Sequence, residues 1–210
     1  MANVFGSEFR RVDNREHLGK PAIVAVAIRT YDTSVDDLWE ALTTRERLAR
    51  WFGKVSGDLE LGGRYQIEGN ASGTITRCER PQAVDVTWEF GGGTSWVTAR
   101  LAPDEKKRAR LTLEHIAHKD GIGEAHLKQY GPGAVGIGWD LWFYGLERHL
   151  SNPSALLDHA AAEAWLLSAE GKAFARSSGE AWAAADTAGG EDPEEARAKA
   201  QRTIAFYTGG

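Results

Sequence analysis

From Ile23 to Ile28 the chain is apolar at almost every position, with β-branched Val24, Val26 and Ile28, which predicts a strand. The pattern then changes period. Val35, Leu38, Trp39 and Leu42 recur at helical spacing behind Ser34, a good N-cap, and Asp36 and Asp37 sit in the first turn where their charge suits the helix dipole. A second short helix is predicted after Thr44, with Leu48, Trp51 and Phe52 on its apolar side and Gly53 at its end. Between Lys54 and His118 the period is two. Leu59 and Leu61 precede a Gly62-Gly63 turn, and Tyr65 and Ile67 alternate with Arg64, Gln66 and Glu68. A strand over Thr74–Cys78 follows, then Val84, Val86, Trp88 and Phe90 share one face of the next. Ser95–Leu101 and a last strand carrying Leu111, Leu113 and His115 complete an antiparallel meander joined by Gly-rich or charged turns.

Residues 119–133 read as a polar loop. Beyond them Val135, Trp139, Trp142, Phe143, Leu146 and Leu150 follow the helical rhythm, with Asp140, Tyr144, Glu147 and Arg148 largely opposite. An aromatic stripe of this kind needs a surface to cover it, and the curved sheet is the available partner. The remainder is Ala-rich and predicts three helices: about Ala155–Leu167, one placing Phe174, Ser178, Ala181, Trp182 and Ala185 on a stripe, and one starting at Asp192 with Pro193 in its first turn. Ile204, Phe206 and Tyr207 are positioned to dock on the core. The expected organisation is an N-terminal arm (1–20), an α+β domain (21–151) of about seven strands gripping a long helix with two short ones, and a helical extension (152–210).

Composition narrows the function classes. A chain of 210 residues buries enough surface to need no covalent staple, and its single cysteine excludes an internal disulfide and any Cys-based zinc module. A net charge of −5 argues against nucleic acid as the main partner. No signal peptide and no apolar run of membrane-spanning length is read, so a cytoplasmic location is expected.

The ordered set Trp39-Glu40-Ala41-Leu42-Thr43, Trp51-Phe52, Gly62-Gly63, Gly73, Pro81, Trp88, Leu113-Glu114-His115, Gly138-Trp139 and Leu146 resembles the SRPBCC superfamily, the START-like helix-grip proteins. Within it the likeness is to the activator-of-heat-shock-ATPase-homologue branch, over roughly residues 20–150. The resemblance implies a sheet wrapped round a long C-terminal helix with a cavity between them. It implies no reaction, because fold and function separate freely in such superfamilies.

Trp51, Trp88, Trp96, Trp139, Trp142 and Phe143 are candidates to line that cavity, whereas Trp39 and Trp182 read as structural. Large rigid rings suit an apolar or aromatic ligand, and they suit a close-packed core equally. His115 shares a face with Leu111 and Leu113, so it points inward, either as a general base or as a hydrogen-bonded core histidine. Tyr65 can supply a polar contact, and Arg77, with the parity of Ile75, is expected to face inward toward an anionic group. His115 and His118 lie on opposite faces and make a poor metal pair, so no metal is expected, and no cofactor either. Gly131-Pro-Gly-Ala-Val-Gly136 matches the dinucleotide fingerprint by letter, but no strand precedes it; its glycines are read as letting the chain enter the long helix close to the sheet. Three functions follow: binding of a hydrophobic small molecule such as a lipid or polyketide-like metabolite, cavity catalysis with His115 as base, and contact with a chaperone ATPase. A homodimer stays open.

Overall fold

A computed structural model describes residues 6–120, 123–156 and 158–210. Residues 1–5 of the expected arm, 121–122 of the expected loop and 157 of the helix expected over about 155–167 lie outside the described residues. Among those described, one eight-stranded antiparallel sheet and seven α-helices form an α+β helix-grip architecture. The strands are β1 (Phe9–His17), β2 (Lys20–Tyr31), β3 (Val55–Gly57), β4 (Arg64–Ile67), β5 (Ser72–Glu79), β6 (Ala83–Phe90), β7 (Gly93–Pro103) and β8 (Ala109–His118), in the spatial order β1-β2-β8-β7-β6-β5-β4-β3. The meander from β3 to β8 therefore folds back so that its last strand pairs with β2, Ala25 opposite His115.

The eighth strand is β1, in a stretch expected to be an arm. It pairs with β2 along its full length through the two-residue Leu18-Gly19 turn, whose φ angles of 51° and 76° give the twist that a tight hairpin needs. Its sequence hides it. Only Val12 is buried, and apart from the exposed Phe9 the rest of FRRVDNREH is polar because one face meets solvent. In the other direction, Leu59 and Leu61 are not in a strand: β3 ends at Gly57, and Leu61 is exposed.

Helices α1 (Val35–Thr43) and α2 (Arg45–Trp51) cross between β2 and β3, and Ser34 caps the first by accepting from the Asp37 amide. The expected loop after β8 contains α3 (Glu124–Tyr130), a short helix ended by the left-handed Gly131. Helix α4 (Gly133–Ser151) lies across the concave face and buries Trp139, Phe143 and Leu146 with Tyr31, Leu111 and Leu113 in the main core.

The extension comprises α5 (His159–Leu167), α6 (Ala169–Ala188) and α7 (Pro193–Thr208). Helix α7 starts as its sequence predicts, with Asp192 accepting from the Glu194 and Glu195 amides and Pro193 in the first turn. The extension covers the side of α4 that faces away from the sheet. Trp182 is 1% exposed and belongs to the same core cluster as Val12 and Trp139. Gly136 is what lets α6 come so close, since a Cβ there would sit 2.3 Å from the Trp182 ring. That glycine therefore serves helix–helix packing and not an approach to the sheet. Tyr207 docks by donating to the Ala134 carbonyl at 2.9 Å, and Ile204 packs over Gly179, while Phe206 points outward.

The role of Asp140 follows from the same packing. Expected on the polar side of α4, it is fully buried and accepts from the Ser7 amide and hydroxyl, Arg10, the Ser178 hydroxyl (2.5 Å) and the Trp182 indole (3.2 Å). Arg10 donates from Nε and an Nη to the same oxygen, Oδ2, at 2.9 and 2.7 Å. One carboxylate thus ties β1, α4 and α6 together, with its hydrogen-bonding capacity satisfied.

Candidate ligand cavity

Between α4, the α1–α2 pair and the inner face of β4–β8 lies a cavity of about 170 Å³. Its wall is aromatic on the helical side, from Trp51, Phe52, Trp139, Trp142 and Phe143, with Trp88 joining from the sheet. The rings touch in sequence. Trp51 lies 5.3 Å from Phe52 and Phe52 4.3 Å from Trp142. Trp142 meets Trp139 edge-on at 4.5 Å, and Trp88 lies 5.6 and 5.7 Å from Trp139 and Trp142. Centroid distances and tilted planes of this kind are the favourable geometry for aromatic pairs, so the wall is braced by its own contacts. Branched and small side chains, among them Ile75, Val86, Val97 and Leu113, make up most of the sheet side.

Several polar groups of the wall are spent on the protein. The Trp51 indole donates to the Ala41 carbonyl at 3.0 Å, and the Tyr65 hydroxyl donates to the Thr87 carbonyl at 2.7 Å, its pKa pushed up by burial. The Thr43 hydroxyl donates to the Trp39 carbonyl at 2.8 Å. The indoles of Trp88 and Trp142 make no hydrogen bond among the described residues, and neither nitrogen is sealed away from solvent.

His115 faces inward as expected but stands behind the wall. Its Nδ1 accepts from the Trp139 indole at 3.1 Å, and its Nε2 lies 2.9 Å from the Ser95 hydroxyl, which in turn donates to the Trp88 carbonyl at 3.3 Å. An Nδ1 that accepts an N–H leaves the ring proton on Nε2, so the chain of donors runs one way, from Trp139 through His115 and Ser95 to Trp88. Burial lowers the imidazole pKa to about 4. The lone pair a general base would use is occupied, and His115 does not line the cavity. Its geometry is that of a hydrogen-bonded core histidine.

Two further candidates lie elsewhere. The pairing of β5 with β6 shifts between Ile75 and Arg77, and this bulge inverts the parity beyond it. Arg77 consequently turns outward to Glu79 at 2.6 Å, and Cys78, itself exposed, joins the lining of the cavity. Trp96 is on the opposite face of the sheet. There it packs on Ala22, Val24, Val26 and Ile116, between the rings of His17 (4.5 Å) and His118 (4.6 Å). The burial of Val97, Ala99 and Leu101 on β7 fixes that parity, and the alternation was a usable signal. The aliphatic side chains of the wall, and with them Thr43, Phe52 and Cys78, are absent from the sequence-derived set; Phe52 was visible on the apolar side of α2, whereas Cys78 depended on the bulge. Among the described residues no group of three or more His, Cys, Asp or Glu is placed to hold a metal ion, and no helix is long and apolar enough to cross a membrane.

Sheet, gripping helix and aromatic cavity define a helix-grip protein. The sequence profile of the family described as Activator of Hsp90 ATPase homolog 1-like protein matches residues 32–151, more than half of the chain, and the chain belongs to that family. Among solved structures it is similar to CalU16 from Micromonospora echinospora at 31% identity. The solution structure of that protein superposes with a TM-score of 0.70 over 90% of this chain and 100% of CalU16, and its crystal structure with 0.66 over 84% and 96%. Coverage of that extent reaches past residue 151 into the extension. Protein MLL2253 from Mesorhizobium loti, 22% identical with a TM-score of 0.53, covers 63% of this chain and 99% of its own, and shares the fold. No curated protein matches the chain.

Proposed function

We propose that this protein binds a hydrophobic or aromatic small molecule in the cavity beneath α4. The observation that carries the proposal is the void itself. Protein interiors leave few gaps larger than a water molecule, so the four tryptophans of this wall, serving only as core, would be expected to close it. The wall is almost wholly apolar, and a ligand that fills the cavity supplies the packing contacts its lining lacks. The wall is apolar enough that water would find few partners there, and an apolar cavity of about 150 Å³ in another protein stays dry and takes benzene. The enzyme reading with His115 as base has less support, because the Trp139 bond occupies the atom it needs.

The test is titration of the whole protein with a chemically diverse set of apolar compounds, read by quenching of tryptophan fluorescence and by thermal shift. A ligand at one hundred times its Kd should add about 2.7 kcal/mol of stability, enough to raise Tm by several degrees. Absence of quenching and of thermal shift across the set would overturn the proposal. So would acceleration of a chaperone ATPase, the activity in the family description, by a protein that binds none of the compounds.

A further inference from the structure

We infer that the cavity selects a neutral aromatic compound of one or two rings bearing a hydrogen-bond acceptor, and that the indole N–H groups of Trp88 and Trp142 recognise that acceptor. This narrows the ligand-binding reading above and rests on it. Three observations lead there.

The first is the lack of charge. Among the described residues no Asp, Glu, Lys, Arg or His lines the cavity, and Arg77, which could have paired with an anionic ligand, faces outward. A carboxylate or ammonium taken inside would lose its water and gain no counter-charge, a large penalty in an apolar site. Fatty acids with a buried head group and charged metabolites are thereby disfavoured.

The second is the division of donors. Trp51, Trp139, Tyr65 and Thr43 have each committed their polar hydrogen to a partner within the protein. Trp88 and Trp142 have not, although their rings stand 5.7 Å apart in the same wall. An indole offers a donor and no acceptor, so what these two positions can satisfy is an acceptor oxygen or nitrogen on the ligand. A pure hydrocarbon would desolvate both N–H groups with nothing in return.

The third is size and wall chemistry. About 170 Å³ holds one aromatic ring comfortably, with a second reaching toward the opening. The tilted faces and edges of Trp139, Trp142 and Trp88 offer both stacked and edge-on contacts to such rings.

The experiment compares three probes of nearly equal shape by calorimetry: 2-acetylnaphthalene, 2-ethylnaphthalene and 2-naphthoate. Wild-type protein should bind the ketone about fivefold tighter than the hydrocarbon, the gain of one net hydrogen bond, and the anion weakest. In the Trp88→Phe/Trp142→Phe double variant, which keeps two aromatic rings and removes both N–H groups, ketone and hydrocarbon should bind alike. Should that variant fold poorly, the infrared carbonyl band of the ketone bound to wild-type protein decides, since hydrogen bonding moves it to lower frequency. Equal binding of ketone and hydrocarbon by wild-type protein, an unshifted carbonyl band, or preferred binding of naphthoate would overturn the inference and leave the binding function standing. Binding of none of the three, nor of any other apolar compound, would remove both.

Discussion

The indole N–H of Trp139, on the gripping helix, donates to Nδ1 of His115, on a central strand, at 3.1 Å. Through that contact α4 is joined to β8, and through Ser95 and the Trp88 carbonyl to β7 and β6. The two groups answer each other's burial, since each would be costly to leave without a partner in the core. His115 is thus held by hydrogen bonds behind the cavity wall and does not line the cavity.

The burial of His115 makes stability depend on pH. In the folded protein the imidazole stays neutral down to about 4, whereas unfolded it takes a proton below its ordinary 6.5. Its contribution is complete above about 6.5 and is lost as the pH falls from there toward 4, a change of roughly 3 kcal/mol. His17 and His149, lowered mainly by burial, act in the same direction. Asp186, raised to about 6 by burial, opposes them, gaining stability as pH falls toward 3.8. Comparing urea unfolding of wild type and His115→Gln across this range isolates the histidine: the stability advantage of wild type should shrink as the pH falls. An advantage that does not change with pH would mean that His115 titrates normally.

Arg77 and Cys78 exchange the roles that simple alternation predicts for them. Arg77→Ala should leave both ligand affinity and melting temperature unchanged, because it removes only an exposed ion pair with Glu79. Cys78, the single cysteine of the chain, should react with a small thiol reagent, and saturation with an apolar ligand should slow that reaction markedly. Labelling at the same rate with and without ligand would place the ligand elsewhere.

How legible these features were depended on how local their causes are. The Ser34 and Asp192 caps and the stripe containing Trp139, Phe143 and Leu146 are set by residues within a few positions of one another, and all three read correctly. Strand β1 was not legible, because an edge strand with one wet face needs almost no apolar residues; only the Leu18-Gly19 turn marks it. The orientation of Arg77 is set by a bulge, which depends on the pairing of two strands and leaves no signature in either alone. The inward direction of His115 was readable from Leu111 and Leu113, but its partner comes from a helix 24 positions away. Asp140 was misread for a related reason, since the back of a helix is polar only until something packs on it.

That buried carboxylate carries a strong prediction. Asp140→Ala strands Arg10, whose side chain is 11% exposed, and leaves four further donors without this acceptor. Removing one partner of a buried pair typically costs about 3–5 kcal/mol, and urea titration should show a loss of that order. The double variant Arg10→Met/Asp140→Leu removes both charges and should recover a substantial part of it. A single variant within experimental error of wild type would mean that the network is not what fastens β1 and α6 to the gripping helix.

The close approach of α6 to α4 is tested by a single methyl group. In Gly136→Ala the new Cβ would meet the Trp182 ring at 2.3 Å, too near for any rotamer of a closely packed tryptophan to absorb without moving the helix. Overpacking of this kind costs about 1–3 kcal/mol. It should act first on the extension: α6 separates from α4, and proteases gain access to residues 169–188 while the sheet keeps its circular dichroism signal. Adding Trp182→Leu removes the ring that clashes, so the double variant should be more stable than the sum of the two single changes by an amount outside additive error. If Gly136→Ala is as stable and as protease-resistant as wild type, the helices are not packed through this glycine. Strict additivity of the pair would carry the same meaning, because two residues in contact at this distance cannot be energetically independent.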